Sequence, residues 1–195
     1  KNDDFISFCK EISKISFSQK GDLEKVNSSK MKNEITVKDN LIDLIAKIGE
    51  KITLRRAKFF NKENGINYSY VHSAVEKNVG KIISVVKLSN SEKSKEIGAK
   101  VAMHIAASNP LGIDKDDLEK KLVEKELEII KAELLNSGKK AEMIEKISQG
   151  KINKFISDNT LLNQAWIMDP KMKVSDILQD VKVLDFIRYK VGEGV

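Results

Sequence analysis

Apolar positions near the start of the chain recur at Phe5, Phe8, Cys9 and Ile12, the i, i+3, i+4, i+7 stripe of an amphipathic helix over residues 3 to 15. From Ser16 to Lys38 polar residues dominate around Gly21, Asn27, Ser28 and Ser29, which predicts a flexible or partly helical connection. Asp39 can cap a helix carrying Leu41, Leu44, Ile45 and Ile48, with Gly49 as its stop. The period then shortens to that of a strand. Ile52–Ala57 alternates, and residues 67 to 73 set Tyr68, Tyr70 and His72 on one side of a second strand. Residues 79 to 88 hold Ile82, Ile83, Val85, Val86 and Leu88, the apolar run of a buried central strand. Connections are short, which favours antiparallel pairing. Ile97, Val101, His104 and Ile105 mark a helix from Ser91 to Ser108 that Asn109-Pro110 ends, because a residue before proline avoids the helical region. The pattern predicts a two-layer α+β module of helix, three-stranded antiparallel sheet and helix.

A long helix follows over residues 114 to 136, with the seam Val123, Leu127, Ile130 and Leu134 spaced 4, 3 and 4 in a coiled-coil rhythm. Asn136-Ser137-Gly138 breaks it. A second helix from Lys140 toward Ile156 carries Ile144, Ile147, Ile152 and Phe155, with Gly150 disturbing its register. Two long helices joined by a tight turn make an antiparallel coiled-coil hairpin. Each has only a narrow apolar stripe, so the hairpin is expected to protrude from the body. After Pro170 a short helix near Val174 to Leu178 leads to a final strand, Leu184 to Val191. The expected organisation is therefore an N-terminal helix and connection (1–38), the α-β(3)-α core (39–113), the hairpin (114–160) and a C-terminal segment with the last strand (161–195).

Composition narrows the classes. The formal net charge is +6 on 195 residues, which invites a nucleic-acid reading. Arginine occurs only at Arg55, Arg56 and Arg188, however, and the lysines interleave with acids as in Lys120 to Glu126, the look of a solvated helix face. An RNA-binding module thus rests on charge alone, and no nucleic acid is expected as partner. A modest positive charge instead favours an acidic protein surface. A single cysteine, Cys9, excludes a disulfide framework, and with two histidines it cannot build a Cys/His zinc site. No apolar run is long enough for a membrane span. The chain opens at Lys1, without a signal peptide, and reads as a fragment or processed product.

Catalytic constellations are missing. The one Gly-Lys pair opening an apolar segment, Gly80-Lys81, has no glycine five residues before it, so it is no phosphate cradle. Cys9 and His104 both sit on apolar helical stripes, where packing explains them better than nucleophilic or acid–base work. Carboxylates are scattered among lysines with no pair singled out. The chain is read as a non-enzyme with neither catalytic nor metal-ligating residues and no cofactor. The Tyr68, Tyr70, His72 row differs: three rings on one strand face suit a protein interface, and suit equally a sheet packed beneath its flanking helices.

Several strings point further. Ile48 to Arg56 is a helix-to-strand passage, Tyr70-Val71-His72 a Tyr-x-His strand, and Val101-Ala102-Met103-His104-Ile105-Ala106-Ala107-Ser108-Asn109-Pro110 a highly specific string. Glu124-Lys125-Glu126, Ser137-Gly138-Lys139, Gly150 to Phe155, Leu161 to Gln164 and Phe186 to Gly194 continue the series. Together they resemble the elongation factor Ts family of bacteria and organelles over nearly the whole chain, least well at residues 16 to 38. In that family a ubiquitin-associated-like helical module and a Thr-Asp-Phe-Val signature come first, and Lys1 resembles the residue closing that signature. The wedge that the signature supplies, and the early strands expected beside residues 184 to 191, would then be absent, which would leave an exposed sheet edge.

The resemblance implies a guanine-nucleotide exchange factor that promotes GDP release from elongation factor Tu by protein contact, without binding nucleotide itself; lacking the wedge, the chain is expected to exchange poorly. Tyr70 and His72 carry over as partner-facing residues, and Tyr68 and Phe5 complete the candidate partner-binding set. Self-association through the sheet is a second expectation. The implied setting is the bacterial cytoplasm, with an organellar matrix as alternative. The competing reading is a coiled-coil scaffold whose partner binding ignores nucleotide.

Overall fold

A computed structural model describes residues 2–194, so Lys1 lies outside the described residues. The chain forms two units, one made of the residues up to Lys62 with Ser73–Lys81, the other of Glu63–His72 with the residues from Ile82 onward.

The part of the first unit up to Lys62 carries three helices. Helix α1 (Asp3–Ser18) starts where the Asn2 side chain accepts a 3.0 Å hydrogen bond from the Phe5 amide. It runs three residues beyond its predicted end. The connection, predicted as flexible or partly helical, contains a further helix, α2 (Leu23–Ser28), capped by Asp22, whose carboxyl lies below its ordinary pKa chiefly because the Lys25 amide bonds it. Helix α3 (Val37–Ile48) is capped by Thr36 rather than Asp39: the Thr36 hydroxyl accepts from the Asp39 amide at 3.1 Å, leaving Asp39 inside the first turn. Gly49 ends α3 in the left-handed conformation at φ 77°, as its position predicted. Phe8, Ile12, Val26, Met31, Val37 and Leu44 form this unit's core.

Residues 52 to 57 correct an expectation. They belong to no strand. Ile52 and Leu54 instead lie half-buried against the helical core. An extended chain laid on a helical surface alternates like a strand, but without a ladder partner it is not one.

Strands β1 (Ile66–Glu76) and β2 (Val79–Leu88) are joined through Lys77-Asn78. Helix α4 (Glu92–Ser108) follows, capped by a Ser91/Ser94 box and ended by Asn109 at φ 49°. The hairpin helices are α5 (Lys120–Asn136) and α6 (Ala141–Asn159), linked at Gly138 with φ 72°. Their predicted seams meet, with Ile130, Leu134, Ile144 and Ile152 buried together and Val123, Leu127, Ile147 and Phe155 packed around them. The stretch before α5 is a 3-10 turn at Lys115–Asp117, so that helix starts later than predicted. Gly150 does not disturb α6, which continues straight through it. The hairpin's feet are joined by Leu111 N–H to Asn159 O at 2.8 Å and Leu161 N–H to Gly112 O at 2.9 Å.

Then come a small antiparallel pair, β3 (Ala165–Trp166) and β4 (Asp169–Lys173), helix α7 (Val174–Leu178) and strand β5 (Val183–Lys190). The three-stranded antiparallel sheet has the order β1-β2-β5, with Val85 opposite Ile187 and Ser84 opposite Arg188. The last strand is therefore paired along β2, and it supplies the third strand of this sheet where residues 52 to 57 do not. Its core gathers Val86, Leu88, Val101, Ile105, Leu161 and Trp166.

Sheet and helix are also tied by polar bonds. Buried Ser84 donates to the Ala102 carbonyl at 2.6 Å, and Arg188 Nε donates to the Ala106 carbonyl at 3.0 Å. Ala102 and Ala106 stand one turn apart on α4, so two facing strand residues grip carbonyls on successive turns of the same helix. Glu193 balances the Arg188 charge at 2.8 Å.

Candidate partner-binding surface

Side chains alternate along β1, so Tyr68, Tyr70 and His72 leave the same face. Their surroundings differ stepwise. Tyr68 is half-buried; a Cβ added at Gly98 of α4 would lie 2.3 Å from its ring, which shows how closely the ring lies on that glycine. Its hydroxyl donates to Ser94 Oγ at 3.4 Å, reaching the capping box of α4. Gly98→Ala is accordingly expected to lower stability by about 1–3 kcal/mol through overpacking, read by denaturant unfolding; an unchanged midpoint would mean that the ring swings clear.

Tyr70 is also half-buried, at the margin of the same core. Its hydroxyl lies 3.4 Å from His72 Nδ1, and the two rings sit 6.2 Å apart with a 35° tilt. His72 itself is exposed. The structure thus assembles three of the four candidate residues into one row, anchored at Tyr68 and open at His72. Rigid aromatic anchors leading to an accessible ring form a surface that a partner can bind with little loss of side-chain entropy. Phe5 lies elsewhere in the chain's organisation: it is half-buried in the first turn of α1 and packs on the first unit's core.

Other groups with chemical capacity are committed to structure. His104 is fully buried. Gln164 donates both amide hydrogens, to Ser108 O at 3.2 Å and Asp158 O at 2.8 Å, so its oxygen faces His104 Nε2 at 2.9 Å. That arrangement assigns the ring proton to Nε2 and leaves Nδ1 with no partner among the described residues. The ring stacks on Trp166 at 5.2 Å. Burial lowers the His104 pKa, opposed by the Gln164 bond. Cys9 is half-buried, and burial raises its thiol pKa, which disfavours the thiolate needed by a nucleophile.

An open cleft in the first unit is lined by Asp4, Glu11, Lys32, Asp43 and Lys47 among others. Two of its three acids are engaged locally: Asp4 pairs with Lys47 at 2.6 Å, and Glu11 accepts from the Lys32 amide at 2.6 Å. Among the described residues no group of three His, Cys, Asp or Glu side chains is placed to hold a metal ion, and no helix is long and apolar enough to cross a membrane.

Sequence reasoning missed two features of this surface. Gly98 as the seat of Tyr68 could have been suspected from a glycine inside an apolar helical pattern. The left-handed backbone of Ser73, at φ 50° directly after His72, carried no signal, since serine is not a residue that marks such a position.

Comparison with known proteins places the chain. A sequence model of the family described as elongation factor TS matches residues 1–193. Elongation factor Ts of Caulobacter vibrioides is 34% identical over an alignment covering 100% of this chain and 66% of that protein. The Gluconobacter oxydans protein of the same name is 32% identical, with coverages of 100% and 66%. That of Rickettsia felis is 34% identical, with coverages of 100% and 67%. The chain thus spans about two thirds of the length of these curated relatives. The match extends through the sheet, the helical hairpin and the last strand, and the chain belongs to the elongation factor Ts family.

Proposed function

We propose that this chain binds elongation factor Tu and loosens that partner's hold on GDP by favouring its nucleotide-free conformation. The observation that carries the reading is family membership over residues 1–193. The work is done by surface complementarity, with no bond made or broken by the chain's own side chains. His72 meets the partner directly, Tyr70 and Tyr68 back it along the strand, and Phe5 belongs to the same set. The exposure of His72 beyond two packed tyrosines supports this assignment. The reaction belongs to the bacterial cytoplasm.

Linkage supplies the test. A protein that weakens GDP binding must itself be weakened by GDP by the same factor. Titration of the chain into elongation factor Tu, without nucleotide and with saturating GDP, should therefore show a loss of affinity of about tenfold or more, or about 1.4 kcal/mol per decade. Equal affinity in both states would establish a nucleotide-indifferent scaffold. Absence of any complex would end the exchange-factor reading.

A further inference from the structure

Asn64 is the only asparagine of the sequence that a glycine follows. The pair lies in the turn before β1, with Asn64 exposed at φ 59°. Each residue has its own physical reason to be there. Asparagine tolerates the left-handed region better than most side chains. Gly65 is seated against the end of β2, where an added Cβ would lie 2.5 Å from the Leu88 carbonyl oxygen and 2.9 Å from Leu184 Cδ1. The fold therefore demands two residues whose succession is chemically reactive. Neither the Asn64 side chain nor the Gly65 amide has a hydrogen-bond partner among the described residues. Glycine also leaves the main-chain nitrogen without a side chain beside it to hinder attack. Other asparagines are better protected. The amide after Asn90 donates to Ser94 Oγ at 3.1 Å, and the amide after Asn136 to the Glu133 carbonyl at 3.0 Å. Asn109 precedes Pro110, which has no N–H to react.

We propose that Asn64 deamidates through Gly65, and that the isoaspartyl product strains the entry to β1. The Gly65 main-chain nitrogen attacks Asn64 Cγ and the Cγ–Nδ2 bond breaks. The side-chain nitrogen leaves as ammonia, carrying the Gly65 amide proton. Water then opens the cyclic succinimide at one of its two carbonyls. Opening at Cγ gives aspartate; opening at the main-chain carbonyl gives isoaspartate, with the chain rerouted through Cβ and Cγ. Either product adds one negative charge. Isoaspartate also inserts a methylene into the main chain directly before Gly65, which has no slack against Leu88. β1 starts at Ile66, the next residue, and carries the row of Tyr68, Tyr70 and His72.

The experiment ages the whole chain in warm, mildly alkaline buffer and follows each asparagine by peptide mass spectrometry. Residue 64 should deamidate at least about tenfold faster than Asn33, whose side chain is bonded to Asn40 at 2.7 Å. Equal rates at the two positions overturn the site. Asn64→Gly keeps access to positive φ and has no amide, so it should lose the dominant acidic species in cation exchange. Persistence of that species places the reaction elsewhere and likewise overturns the site. The isoaspartyl fraction, identified by enzymatic methylation of isoaspartate, should unfold at a lower temperature than Asn64→Asp, which has the same charge and an ordinary main chain. Matching midpoints would overturn the strain at the entry to β1. Elongation factor Tu takes no part in these measurements, so their outcome is independent of the exchange-factor reading.

Discussion

His72→Ala should weaken the complex with nucleotide-free elongation factor Tu by about tenfold to thirtyfold, the effect of removing one interface anchor of 1.4–2 kcal/mol. Stability should stay within about 0.5 kcal/mol of the parent, because the ring is exposed and the Tyr70 hydroxyl beside it can turn to water. Calorimetric titration and denaturant unfolding on the same preparation read both quantities. The combination matters more than either value. A loss of affinity together with a large loss of stability would place the imidazole in the fold's own packing, and unchanged affinity would remove it from the interface.

The second large effect is the opposite one. His104→Ala should cost about 2–4 kcal/mol of stability, since it removes a buried ring and leaves the Gln164 carbonyl without its donor. The parent chain should also show a pH dependence that this variant lacks. His104 is held neutral in the folded state because burial lowers its pKa, whereas the unfolded chain takes up a proton below the ordinary value of about 6.5. Below that pH the unfolded state binds more protons, so stability is full above about pH 7 and falls as the pH drops from 6.5. Urea unfolding at about pH 7.5 and 5.5 should show a larger difference for the parent than for His104→Ala. Equal differences would mean that the ring is not what couples folding to pH in this range.

Much of the fold was legible because its signals are local. The seam from Val123 to Leu134 and the answering residues Ile144 to Phe155 needed only helical spacing and one glycine turn. The helix ending at Asn109-Pro110 was equally plain. The sheet was harder. Both Ile52–Ala57 and the segment after residue 183 alternate like strands, and nothing within either reveals which one finds a ladder partner. The choice is made by β2, far away in sequence. The cap of α3 was misplaced for a smaller reason: Thr36-x-x-Asp39 offers two oxygen-bearing residues three apart, and either can be read as the cap until the backbone is seen. At the surface, the period of two gave the row of rings directly. Which ring would be covered depended on Gly98 in another element, and the left-handed backbone at Ser73 has no residue type to announce it.

The pairing of β2 with β5 also bears on how the chain comes into being. Val85 and Ile187 are neighbours in the sheet yet roughly a hundred positions apart in the chain. At ordinary translation rates of about 5–20 residues per second, the edge of β2 waits some 5–20 s for its cover to be synthesised. Throughout that interval a strand rich in isoleucine and valine presents unsatisfied amides and carbonyls to whatever surrounds the nascent chain. Closure of the sheet is therefore a late step of synthesis, timed by how long β5 takes to follow β2.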